Sequence, residues 1–126
     1  MTLPIFIESW KAAIESGKAP REIAQTCYHS DGVLKGTVWS KAVQGHDEIT
    51  KYFEHFTTGK NNASVTFDTI TKTPSGSYAG EYTFRWEDDE GAPQSAEANY
   101  TFEQATTDDG REVISLHHSS FFVPES

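Results

Sequence analysis

The chain has 126 residues and a formal net charge of -9. That length makes one domain, read as residues 1–126, able to bury about two thirds of its unfolded surface. The charge, with no basic patch beyond Lys18 and Arg21, argues against nucleic acid and anionic lipid as partners.

Cys27 is the one cysteine, so no internal disulfide can form, and a reducing, cytoplasmic setting is expected. Met1 to Lys11 has neither a basic leader nor a long apolar run, so no signal peptide and no membrane helix are expected.

In chain order, Ile7, Trp10 and Ile14 recur at helical spacing and Gly17 ends the segment. Pro20 suits the first turn of a second helix with Ile23, Ala24 and Cys27 inward. Tyr28-His29-Ser30-Asp31-Gly32 reads as a turn, and a short strand is expected from Val33 to Trp39. Gly45-His46-Asp47-Glu48 opens a third helix, its early acids matching the dipole. Ile49, Phe53 and Phe56 form its buried stripe, with Tyr52 beside them.

The period then changes to two. Val65 and Phe67 alternate with polar residues, as do Tyr82, Phe84 and Trp86, then Ala96, Ala98, Tyr100 and Phe102. The last run is Val113 to Val123, and Gly- and Asp-rich turns separate the runs. Three helices followed by a four-stranded meander predict the α+β class, with a curved antiparallel sheet wrapped around the helices and a conical cavity between.

This order, with Gly45-His46-Asp47-Glu48-Ile49 leading into Tyr52-Phe53, resembles the nuclear transport factor 2-like superfamily, which includes the SnoaL-like proteins and the association domains of calmodulin-dependent kinases. A narrower resemblance lies in Gly36-Thr37-Val38-Trp39, Tyr52-Phe53, Tyr82-Thr83-Phe84 and His117-His118-Ser119-Ser120 followed by Pro124-Glu125. Together these are similar to the iota-class carbonic anhydrases, some of which work without metal. Leu116 stands where many members have a further histidine. The resemblance implies hydration of CO2 to bicarbonate and places Thr37 and Tyr52 at the bicarbonate site.

A zinc site needs three inward ligands. Adjacent strand residues face opposite ways, so His117 and His118 cannot both contribute. His46 and His55 are nine apart, on opposite sides of one helix. No metal and no cofactor is therefore expected. A metal-free route uses hydroxyls to hold water and bicarbonate, a histidine to move the proton, and apolar walls to hold CO2.

One face of the last strand carries Ile114, Leu116, His118, Ser120 and Phe122, and the other carries Val113, Ser115, His117, Ser119 and Phe121. The larger aliphatics favour His118 and Ser120 in the cavity; a bulge would reverse this. The expected site is thus Thr37, Tyr52 and Ser120 around the reacting oxygens and His118 as proton shuttle. Trp39, Phe53, Phe84 and Phe122 supply wall. Two alternatives remain open. A SnoaL-like isomerase or cyclase needs a carboxylate in the cavity, with Asp31 and Asp68 as candidates. An oligomeric association or ligand-binding domain would use the outer sheet face, presenting Phe121, Val123 and the His117 side. The association reading builds dimers or larger rings through that face, and a homodimer is expected on the enzyme reading as well.

Overall fold

A computed structural model describes residues 2–37, 39 and 41–121. Helix α1 (Ile5–Glu15) buries Phe6, Ile7, Trp10, Ala13 and Ile14 along one stripe. Gly17 ends it in the left-handed region at φ 70°. There Gly17 N–H donates to Ile14 O and Lys18 N–H to Ala13 O, a Schellman closure. Helix α2 (Pro20–Cys27) starts on its proline, whose missing N–H would have no partner in a first turn. Helix α3 (His46–Thr57) starts after Gly45 at φ 86°, with Asp47 and Glu48 in its first turn. Glu48 Oε1 accepts the Gln44 N–H at 2.9 Å.

Among the described residues six strands form one sheet: β1 (Tyr28–Lys35), β2 (Val43–Gln44), β3 (Asn61–Lys72), β4 (Tyr78–Glu87), β5 (Pro93–Thr106) and β6 (Glu112–Phe121). Their spatial order is β2-β1-β6-β5-β4-β3. The meander β3 to β6 is antiparallel as expected. The sheet as a whole is mixed, because β1 pairs parallel with β6. The chain between them, through α3 and the meander, is long enough for that parallel crossover.

Two local expectations change. The Tyr28–Gly32 segment is part of β1. Five steps along β1, Tyr28 to Val33, oppose two along β6, Ile114 to Leu116, so His29–Gly32 bulges from the ladder while Tyr28 stays anchored. A Cβ on Gly32 would lie 3.0 Å from His29 O and 3.1 Å from Ile114 O, which is why this bulge holds a glycine. Strand β1 also ends at Lys35, before Thr37 and Trp39.

The concave face of the sheet closes on the helices around Trp10. Its indole stacks on Tyr82 at 5.8 Å and meets Phe102 at 5.4 Å and His117 at 5.2 Å edge-on. Among the described residues, no helix is long and apolar enough to cross a membrane.

Candidate functional site

The strand β6 turns its His and Ser side chains inward in the opposite sense to the sequence expectation. His117 and Ser119 are 3% and 4% exposed, whereas His118 and Ser120 are exposed on the outer face. The cause is a bulge. Leu116 pairs with Glu103 and Ile114 with Gln104, so β6 advances two residues where β5 advances one. Ser115 is the extra residue, its Oγ donating to Glu103 O at 3.2 Å. Ile114 points inward before the bulge, and alternation restarts one residue out of step after it. The rule that aliphatics mark the inner face held for Ile114 and failed for its successors.

Around His117 the polar groups form a buried row. Trp10 Nε1–H donates to Tyr28 Oη at 3.1 Å. Tyr28 Oη lies 2.7 Å from His117 Nδ1, and Tyr82 Oη lies 3.0 Å from His117 Nε2. Tyr82 Oη donates to Ser119 Oγ at 2.7 Å. Burial, then the charge of neighbouring His118, lowers the His117 pKa to about 3. Burial also raises both Tyr28 and Tyr82. All three are therefore neutral near neutral pH.

The row ends at a small cavity. Trp10, Phe53, Phe56 and Phe84 form its apolar walls, and Thr37, Tyr52, Tyr82, His117 and Ser119 bring the polar groups. The centre of a water-sized sphere has about 10 Å³ to move in, about the least room that holds one water. Thr37, half-buried in the loop after β1, donates its backbone N–H to Tyr52 Oη at 3.1 Å. The Tyr52 ring passes directly over Gly36, where an added Cβ would lie 1.9 Å from Tyr52 Oη.

Of the residues the sequence reading singled out, the structure gathers Thr37, Tyr52, Phe53 and Phe84 at one cavity. His118 and Ser120 lie on the other side of the sheet and are replaced there by His117 and Ser119. Trp39 stands one layer back, edge-on to Tyr52 at 5.6 Å. Phe122 lies outside the described residues, as do Val123, Pro124 and Glu125. Tyr82, Tyr28 and Trp10 went unassigned because aromatics at core positions read as packing. A polar atom on each, placed deep in the core, needs a partner, and that requirement was the available clue.

No carboxylate lines this cavity among the described residues. Asp31 is exposed, and Asp68 is exposed and accepts from Thr83 Oγ1 at 2.7 Å. No three His, Cys, Asp or Glu side chains converge as a metal site among the described residues. A larger groove of about 370 Å³ runs between α1, α2 and the end of α3. Its charged groups are already engaged within the fold: Lys60 Nζ donates to Phe56 O, and Glu15 accepts from Lys11 and from Val65 N–H.

No curated protein is similar enough to count as a match. Among solved structures, a Xanthomonas campestris protein provisionally described as a calcium/calmodulin dependent protein kinase II association domain is 30% identical. It superposes with a TM-score of 0.79 over 97% of this chain and 93% of its own. A Catenulispora acidiphila protein with a ketosteroid isomerase-like fold, solved with trimethylamine, has 16% identity, a TM-score of 0.73, and covers 94% and 85%. A nuclear transport factor 2-like protein from Salmonella enterica has 12% identity, a TM-score of 0.75, and covers 97% and 89%. These last two establish the cone-shaped nuclear transport factor 2-like fold. With its residues 3–121 matched, the chain belongs to the calcium/calmodulin dependent protein kinase II association domain family.

Proposed function

We propose that this protein hydrates CO2 to bicarbonate in the cavity between Tyr52, Tyr82 and Ser119, without a metal or other cofactor. The observation that carries the reading is the cavity's chemistry: hydroxyls and one neutral imidazole, aromatic walls, and room for about one water. Such a space is far below the several hundred Å³ of a typical organic-ligand pocket, and to hold CO2 and a water together Tyr52 and the Thr37 loop must give way. The isomerase reading calls for a carboxylate base, and the cavity lining supplies none among the described residues.

In the proposed reaction CO2 lies against Phe53, Phe56 and Phe84. Water beside Thr37 attacks the carbon, and one C=O π pair moves onto an oxygen. As the new O–C bond forms, the water proton passes to Ser119 Oγ and the Ser119 proton passes to that oxygen. Carbonic acid results, and it ionises to bicarbonate and a proton on release. A hydroxyl can take and give a proton at once, so no side chain has to titrate. This suits a His117 whose burial disfavours protonation, and it replaces the shuttle expected of His118. Tyr52 and Ser119 would stabilise charge on the oxygens as it develops.

Stopped-flow hydration of CO2 by protein stripped with a strong chelator tests this directly. Fast hydration by metal-free protein supports the reading. No hydration removes it.

A second reading concerns assembly and is compatible with the first. The family is named for association, and Phe121, opposite Ala98 of β5, is 52% exposed at the end of β6. We propose that this exposed end of β6 joins copies of the chain into at least a homodimer. Sedimentation of wild type and Phe121→Ser tests it, and a monomeric wild type would exclude it.

A further inference from the structure

The row of hydrogen bonds through the core has a direction, and counting protons gives it. Trp10 Nε1 carries a proton and no lone pair, so Tyr28 Oη accepts from it. Tyr82 Oη has one proton and gives it to Ser119 Oγ. Its 3.0 Å contact with His117 Nε2 therefore needs the proton on that nitrogen. A neutral imidazole carries a single ring proton, so Nδ1 is bare and takes the Tyr28 proton at 2.7 Å. Every member is then both donor and acceptor except the indole, which can only start the row. The reverse direction gives Tyr28 two donors, from Trp10 and His117, and leaves its own proton without a place in the row. It also requires Tyr82 to turn its proton away from Ser119.

We propose that this buried row locks His117 as the Nε2–H tautomer and turns the Ser119 hydroxyl proton toward the cavity. Tyr28, His117 and Tyr82 are then positioning residues, and the cavity offers a fixed hydrogen-bond donor to an oxygen of its ligand. The ligand class that fits is a small oxygen acceptor, such as one oxygen of CO2 or bicarbonate. That identity rests on the proposed function; the polarity of the row does not. Neutrality of all three groups follows from their burial, since a charge on any of them would reverse or break the row. No buried side-chain polar atom lacks a partner among the described residues, so no stray donor competes for Ser119.

The test uses the whole chain with both histidine ring nitrogens isotope-labelled, read by nuclear magnetic resonance near neutral pH without substrate. His117 is identified as the ring signal missing from His117→Gln. If that variant does not fold, it is the ring that fails to titrate between about pH 5 and 8. The expected result is a protonated Nε2 and a bare Nδ1. Tyr82→Phe removes the acceptor and should shift the Nε2 signal; Tyr28→Phe should shift Nδ1. An Nδ1–H tautomer, an imidazolium, or signals unmoved by both variants would overturn the proposal. An Nε2–H ring in a protein without CO2 hydration would support the polarity while removing the activity.

Discussion

Tyr82 on β4 and Ser119 on β6 meet across the intervening β5, with Tyr82 Oη donating to Ser119 Oγ at 2.7 Å. β5 presents Ala98 opposite Tyr82, a side chain small enough to let the phenol lean over it. The contact joins two otherwise separate features, the aromatic core around Trp10 and the polar end of the cavity. It also turns a residue that packs, Tyr82, into one that orients another.

Gly36 should be irreplaceable by even a methyl group. Its Cβ would fall 1.9 Å from Tyr52 Oη and 2.1 Å from the ring carbon that bears it. Tyr52 must then leave the cavity and give up the Thr37 N–H. Gly36→Ala is expected to remain folded by circular dichroism and to lose CO2 hydration by about tenfold or more, the scale of a misplaced catalytic group.

Stability should depend on pH through His117. Its pKa is lowered from 6.5 unfolded to about 3 folded, first by burial. Between those values the unfolded chain binds a proton that the folded chain refuses. The contribution is therefore whole above about 6.5 and is lost as pH falls toward 3, at up to about 1.4 kcal/mol per pH unit. Urea unfolding at stepped pH should show this slope, and His117→Gln should flatten it. Hydration should show no inflection from His117 near neutrality.

His118→Ala separates the two faces of β6. The side chain is exposed on the outer face, so hydration should remain within about twofold of wild type, with a stability change inside about 0.5 kcal/mol. A loss of more than about tenfold in metal-free protein would mean that His118, and with it the outer face, takes part in the chemistry.

The helices were legible because their ends carry strong local chemistry: Gly17 in a left-handed closure, Pro20 at a first turn, Gly45 before an acidic one. The meander was legible from alternation alone. Two bulges were not. In His29–Gly32 the turn-forming residues do what their composition suggests, yet Tyr28 before them is clamped in the core. At Ser115 nothing marks the slip, since Ser115 and Leu116 fit an unbroken alternation as well as a broken one. One unmarked residue therefore moved His118 and Ser120 out of the cavity and His117 and Ser119 in. Thr37 and Tyr52 came from resemblance. Their meeting depends on Gly36, whose role appears only once the Tyr52 ring is seen over it.

The most direct test of the account compares Ser119→Ala with Ser120→Ala for CO2 hydration in metal-free protein. Ser119 is buried at the end of the row and Ser120 is exposed on the far side of the strand. The account predicts a loss of about 100-fold for Ser119→Ala, the scale of removing one oriented donor, and near wild-type rates for Ser120→Ala. Equal rates in the two variants, or a loss confined to Ser120→Ala, would contradict it.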